Sequence, residues 1–539
     1  MPLLQWGGRD AFTHMLVAGP SRCGKTATVL KPIIYQILLQ KRAGKKVGLS
    51  LIEPKGDVAF MVREMCEAME IDYIHVDPAV NRSYADESGY SAYRSHVFNP
   101  MQGDTEMVAE ATVAVLKSLF GKQEAFFATV QELSSRNVTK LLKELQGDRL
   151  DLMEVLQTLR DPVILEKKVK ELKQRDGETD LVQFFEAELL GTLKDKYRQF
   201  VIGLRAQLEN LTSNQNLKRV ITGNSSINID RHLEKGGVLA VNTALGELGT
   251  SGDAFGQFVA MHLQSGTFRR RGTERTRVPH FMIEDEYSRY INPDIERFLT
   301  MAAEYKVAGI FAIQSLGQLE VESGKISAKA MKQTIITSCQ NLIAFGGYKG
   351  SEAKEIADLF GKEPVIERDN IYEGSLIPHI IPKTYKDVEK ERYRIHPAML
   401  MNGMPEFHFV HQLRCNGVLQ KPGIARGNFV PRDWKDRLVN DKRKIFDLKV
   451  VIKPVTHIKT KLQKKKAEKI FAVNPFEETA VDDGVQQSVS YPQNTIETVD
   501  NVNTSLPFKL IVSKPEVLSE KRGSHQVNSK ERLSDDFWN

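Results

Sequence analysis

Residues Gly19-Pro20-Ser21-Arg22-Cys23-Gly24-Lys25-Thr26 have the types and spacing of a loop that wraps phosphate. Glycines at its first and sixth positions let backbone N–H groups curl around phosphate oxygens, Lys25 reaches the outer phosphates, and Thr26 offers a hydroxyl to Mg2+. ATP and Mg2+ are therefore the expected cofactors. Such a loop needs an acidic partner on a neighbouring strand, and Glu284-Asp285-Glu286 stands directly after the apolar run HFMI. Asp285 is assigned to Mg2+ through water and Glu286 to polarising the attacking water. Glu284 is expected to point the other way along the pleat. Further on, Gln314 and Ser315 end the run GIFAIQS, where a side chain leaving the sheet edge can sense the γ-phosphate. Gln314 is assigned that role. Without the loop, the acids would read as an exposed turn and the Gln-Ser pair as a strand cap.

The elements that must position these groups are legible as alternating patterns. Thr13 to Ala18 reads as a short buried strand before the loop, and TATVLKPIIYQILLQ as the helix after it. A second strand, Val47 to Ile52, ends at the turn EPKGD; a helix through Val62 to Met69 and a third strand, Ile71 to Val76, follow. This βαβαβ order predicts a parallel sheet covered by helices, an α/β fold. From Asp104 strand signals vanish for more than a hundred residues. The stripe Val182, Phe185, Leu189, Leu193, Tyr197, Phe200, Leu204, Leu208, Leu211 steps by three or four, which predicts a helical core face. Sheet signals return at Gly237 to Asn242, His280 to Ile283, Gly309 to Ile313 and Asn341 to Phe345.

The expected organisation is a first nucleotide-binding part over 1–103, an inserted all-α domain over 104–215 and a second nucleotide-binding part over 216–434. A basic linker over 435–470 and an acidic, disordered tail over 471–539 follow. Lys435 to Lys469 holds 13 Lys/Arg against 4 Asp/Glu, which suits either phosphate neutralisation or a solvated linker, whereas Phe471 to Asn539 holds 6 against 11. The terminal Asp535-Asp536-Phe537-Trp538-Asn539 is a candidate docking motif. The four cysteines lie far apart with no C-x-x-C pair, so neither a disulfide framework nor a zinc site is indicated. No stretch approaches the roughly 18 apolar residues of a spanning helix, and a cytoplasmic protein is expected.

The order of motifs resembles the coupling ATPases of conjugation and type IV secretion, the VirD/TraG family, within the wider group of FtsK-like and HerA-like DNA pumps. The segments that carry the resemblance are GPSRCGKT; LIEPKGD, similar to the family's D-P-K-G-E; Phe98-Asn99-Pro100; EDEYSRY; AIQSLGQLE; and IITSCQNLIAFGGYKGSEAKEIADLFGK. Only the first is specific alone; the order of all six, around a helical insertion, covers most of residues 10 to 430. The resemblance implies a RecA-like motor, a homohexameric ring, an all-α domain at one mouth, and a single-stranded DNA substrate carrying a relaxase. It also implies channel ATPases as partners. Relatives place membrane helices ahead of the phosphate loop, which here begins at residue 19, so recruitment to the inner face of the membrane by an anchoring partner is expected. In AAEYKVAGI, where relatives place an arginine that reaches a neighbouring subunit's nucleotide, this chain has Lys306, with Arg297 nearby as a substitute. The leading expectation is an ATP-driven coupling protein that moves a relaxase–DNA substrate to a conjugation channel. Its rivals are a nucleotide-gated adaptor that does not pump, and a DNA translocase outside conjugation.

Overall fold

The computed structural model describes residues 3–79, 95–120, 124–322, 326–371, 384–439 and 507–513. In chain order its strands are β1 (Leu3–Gly7), β2 (Met15–Ala18), β3 (Gly48–Glu53), β4 (Ile74–Val76), β5 (Val238–Asn242), β6 (His280–Glu284), β7 (Val307–Ile313), β8 (Asn341–Phe345), β9 (Lys362–Ile371), β10 (Thr384–Tyr393), β11 (His408–Gln412), β12 (Arg414–Cys415), β13 (Val418–Leu419), β14 (Gly423–Gly427) and β15 (Pro507–Ser513). Eleven of them share one sheet in the order β1-β15-β14-β11-β8-β2-β7-β6-β3-β5-β4. The run from β8 to β4 is parallel throughout, and the strands beyond β8 are antiparallel.

Parallel strands come out mostly apolar because helices cover both faces, and β2, β3, β5, β6, β7 and β8 are buried along their whole length. Alternate residues then feed two cores. Met15, Val17, Leu49, Leu51, Phe281 and Ile283 pack with the helices Lys31–Arg42 and Asp57–Met69. Leu16, Ala18, Ile52, Met282, Phe311 and Ile313 pack on the opposite side, in a core continuous with the helical insertion. The fold is thus the expected α/β architecture with an all-α insertion.

The insertion begins with the helix Thr105–Phe120 and runs as helices through Gln215–Ile221. The predicted stripe is its core: Val182, Phe185, Leu189, Tyr197, Phe200, Leu204 and Leu211 are buried. Asn99 ties the insertion to the motor. Its Nδ2 donates to the carbonyls of Leu150 (2.8 Å) and Gly223 (2.9 Å), while its Oδ1 accepts from Met101 N–H at 2.9 Å. The Asn-Pro signature is thereby a structural pin in this chain.

Most strand boundaries shift by one or two residues, and two element starts shift further. The helix predicted from Val62 starts at Asp57, because Gly56 turns the chain at φ 91° and the Glu53 carboxylate accepts from Lys55 N–H (2.9 Å) and Ala59 N–H (3.1 Å). The strand predicted from Ile71 starts at Ile74. Strands β1 and β9 to β14 had no apolar alternation to announce them. The β9–β10 ribbon instead pairs charges across its strands, Arg368 with Asp387 and Lys390 with Glu367, each 2.8–2.9 Å at its shortest. Within the tail expected to be disordered, PFKLIVS forms β15 between β1 and β14; it is the apolar run of an otherwise polar segment. The rest of the tail, its Asp-Asp-Phe-Trp-Asn end and the linker from residue 440 lie outside the described residues.

Candidate nucleotide site

Strand β2 delivers the loop to the carboxyl edge of the sheet. Gly19 N–H donates to Ile313 O at 3.1 Å, fixing the start of the loop to the end of β7. Arg22 and Gly24 take positive φ, 64° and 104°, which curls the backbone; for Arg22 that conformation costs on the order of 1 kcal/mol. Gly19 has no room for a side chain, since a Cβ there would stand 2.5 Å from Cys23 Sγ and 2.9 Å from Phe345 Cβ. The helix beyond the loop opens as a wide turn, Thr26–Leu30, and continues as Lys31–Arg42. Lys25 folds back over its own loop, its Nζ donating to Gly19 O at 2.5 Å and Pro20 O at 3.3 Å.

Strand β6 carries the acids to the same edge. Asp285 N–H donates to Ile52 O at 3.0 Å, and Asp285 Oδ2 accepts from Thr26 Oγ1 at 2.9 Å. Burial pushes the Asp285 carboxyl up, while the Thr26 hydrogen bond pulls it down. Glu286 takes positive φ, 55°, which turns the chain off the strand end. Gln314, just past β7, joins the two halves: its Nε2 donates to Glu286 Oε1 at 2.7 Å, and its Oε1 accepts from Ser21 Oγ at 3.0 Å. A carboxylate only accepts, so the amide must present its nitrogen to Glu286 and its oxygen to Ser21. Ser315 does the plain work of a cap, accepting from Gly317 N–H at 3.2 Å. The loop, Asp285, Glu286 and Gln314 therefore meet in one place. A hydroxyl and a carboxylate at this spacing form an oxygen donor pair that suits Mg2+.

Residues 279–403 match the family model described as the TraM recognition site of TraD and TraG. No curated protein matches the chain. Among solved structures, the bacterial conjugative coupling protein TrwBdeltaN70 in an unbound form aligns with a TM-score of 0.54 and 14% identity, over 78% of this chain and 86% of its own. The plasmid coupling protein TrwB in complex with ADP and Mg2+ aligns with a TM-score of 0.54 and 16% identity, over 79% and 88%. Its complex with a non-hydrolysable ATP analogue gives 0.53 and 16%, over 79% and 89%. The chain has the coupling-protein fold. Residues 279–403 also match the TraG/TraD family model, so the match and the shared fold agree with the resemblance expected from the motif order.

Within this coupling-protein fold two carboxyls stand out that sequence spacing gave no role. Glu284 lies fully buried on the Met282 face of β6, away from the loop, as the pleat predicts. Among the described residues neither of its oxygens has a hydrogen-bond partner, nor has the neighbouring Tyr287 Oη, and burial pushes the Glu284 carboxyl up to about 8. Glu53, from LIEPKGD, is buried next to the site; burial first, then the charges of Asp57 and Asp285, raise it to about 7. Cys23 lies half-buried inside the loop, its thiol pushed up by burial.

Lys306 and Arg297 are not brought to the loop. Lys306 precedes β7, at the amino edge of the sheet, and a seven-residue strand separates it from Gln314 by about 23 Å. Arg297 stacks its guanidinium on the Phe268 ring, 4.3 Å from the centroid.

Sequence spacing also missed the antiparallel strands that flank the loop on the other side. Gly427, at the end of β14, comes so close to the loop helix that a Cβ would stand 2.4 Å from Thr28 Oγ1, and Phe407 presses on Gly24. Neither residue belongs to a recognisable motif; a long sequence separation hides both. Among the described residues, no helix is long and apolar enough to cross a membrane, and no cluster of three His, Cys, Asp or Glu is placed to hold a metal.

Proposed function

We propose that this chain is a Mg2+-dependent ATPase that couples hydrolysis to moving a relaxase–DNA substrate toward a conjugation channel. The observation that carries the ATPase reading is the chain of contacts Thr26–Asp285 and Ser21–Gln314–Glu286, which brings the loop, the acidic pair and the glutamine together at one sheet edge. Lys25 releases the loop carbonyls and turns to the β- and γ-phosphates. Mg2+, held by Thr26 and through water by Asp285, would neutralise charge on those phosphates. Glu286 orients the attacking water, and Gln314 exchanges its contact with Glu286 for one with the γ-phosphate, reporting whether that phosphate is present.

The coupling reading is supported by the fold shared with TrwB and by the TraG/TraD match over 279–403, whose description points to a relaxosome partner. On this reading the chain acts as a homohexamer, single-stranded DNA passes through the ring, and Lys306 or Arg297 completes the neighbouring site. An anchoring partner or a channel ATPase recruits the motor to the inner face of the membrane. ATPase assays with and without single-stranded DNA test the proposal: stimulation by DNA is expected, and an unchanged rate, together with intact transfer by Lys25→Ala, overturns it. Transfer that survives in Glu286→Gln, a variant expected to bind ATP without turning it over, would favour a nucleotide-gated adaptor.

A further inference from the structure

Phe407 sits at positive φ, 57°, a conformation that a bulky L-residue adopts only when its surroundings hold it there. Its ring is what a Cβ on Gly24 would strike, 2.8 Å from Cδ1, so the phenyl lies directly against the phosphate loop. Its carbonyl accepts from Gly427 N–H at 2.8 Å, which locks the Phe407 turn to the end of β14. Two residues beyond Gly427, Phe429 stands edge-on to Phe407, with centroids 4.9 Å apart and planes at 81°, yet it remains 52% exposed. A phenyl fixed on the loop and a second, solvent-facing phenyl beside it make an aromatic step next to the loop.

The topology says which end of a nucleotide lies there. β2, which delivers the loop, has β7 and then β6 on one side and β8, β11 and β14 on the other. Asp285, Glu286 and Gln314, the groups for the γ-phosphate, come from the β6–β7 side. Phe407 and Phe429 come from the β11–β14 side, so a nucleotide stretched across the end of β2 carries its base toward them.

We infer that Phe407 and Phe429 form the base subsite of this nucleotide site, a stacking platform for a purine. Phe407 braces the platform and Phe429 supplies the face that the base covers. Two phenyl rings carry no hydrogen-bonding group, so the platform reads ring area rather than base edge: adenine and guanine are held alike, and pyrimidines less well.

This inference rests on the nucleotide reading, and the test separates the two. Binding of MgADP and of magnesium tripolyphosphate, which has phosphates but no base, is measured by calorimetry for the full chain and for Phe429→Ala, Phe429→Tyr and Lys25→Ala. Phe429→Ala is expected to weaken MgADP roughly tenfold while leaving tripolyphosphate unchanged, Phe429→Tyr to restore MgADP binding, and Lys25→Ala to weaken both probes. The platform is overturned if Phe429→Ala binds MgADP as the parent does, or if it loses both probes alike and tyrosine fails to restore them. If the parent chain binds neither probe, the nucleotide reading fails first.

Discussion

Both ends of the parallel sheet bury polar groups, but they satisfy them in different ways. At the amino end the partners are mostly backbone. Arg270 donates to the carbonyls of Leu233, Val278, Tyr305 and Lys306. Lys41 donates to those of Val47 and Gly236, and Asn341 Nδ2 to those of Asp10 and His14. Ser50 is held between His232 (2.9 Å) and His280 (2.8 Å), both fully desolvated. At the carboxyl end the groups around the loop pair largely with side chains: Thr26 with Asp285, Ser21 with Gln314, and Gln314 with Glu286, while Lys25 donates to the loop carbonyls of Gly19 and Pro20. Turning a donor away from a buried carbonyl leaves that carbonyl unsatisfied, whereas a side-chain pair at the open edge can exchange its contact for a ligand's by turning a rotamer. One end holds the molecule together, and the other is free to respond.

That contrast breaks if substitutions at the two ends have the same consequences. The largest effect is expected from Lys25→Ala, which should lower ATP turnover about a thousandfold, or ~4 kcal/mol, with little change in unfolding free energy. Parallel kinetics and chemical denaturation check both halves of that statement. Arg270→Ala should do the reverse, costing roughly 3 kcal/mol of stability because several buried carbonyls lose their donor, while leaving MgADP affinity in the folded protein unchanged.

Opposite responses to pH sharpen the comparison. Glu284 has its carboxyl raised by burial from 4.5 to about 8, so the neutral form is the one the fold favours. Its contribution is fully present below about pH 4.5 and is lost as pH rises through about 8. Glu284→Gln should therefore gain about 2 kcal/mol of stability at pH 8.5 and almost nothing at pH 4.5; denaturation curves at the two values decide it. His232 is lowered by burial from 6.5 to about 3, so stability is present above 6.5 and falls as the unfolded chain takes up protons below it. His232→Gln should flatten the acid limb of the stability profile by about 1 kcal/mol per pH unit between 6.5 and 4. An unaltered slope would place the buried neutral imidazole in doubt.

The parallel strands and the polar groups that meet at the loop were readable in the chain because each is encoded locally. An apolar run such as GIFAI, buried on both faces, needs no partner to be recognised, and GPSRCGKT announces a phosphate-type loop by its own spacing. Glu284 was expected to point away from the site on the pleat alone, and it acts on Tyr287 and Tyr290 in the core on the Met282 side. What the sequence could not express is which distant residues share the loop's surroundings. The Ser21–Gln314 contact spans 293 positions, and the seating of Phe407 on Gly24 depends on strands that lack apolar alternation. The placement of Lys306 at the edge opposite the loop likewise follows from strand direction rather than from residue type. Local pattern thus determined the elements and the reactive groups they carry. Tertiary structure decided their neighbours, because contact between residues hundreds apart is fixed by the order in which strands assemble, and no short window of sequence contains that order.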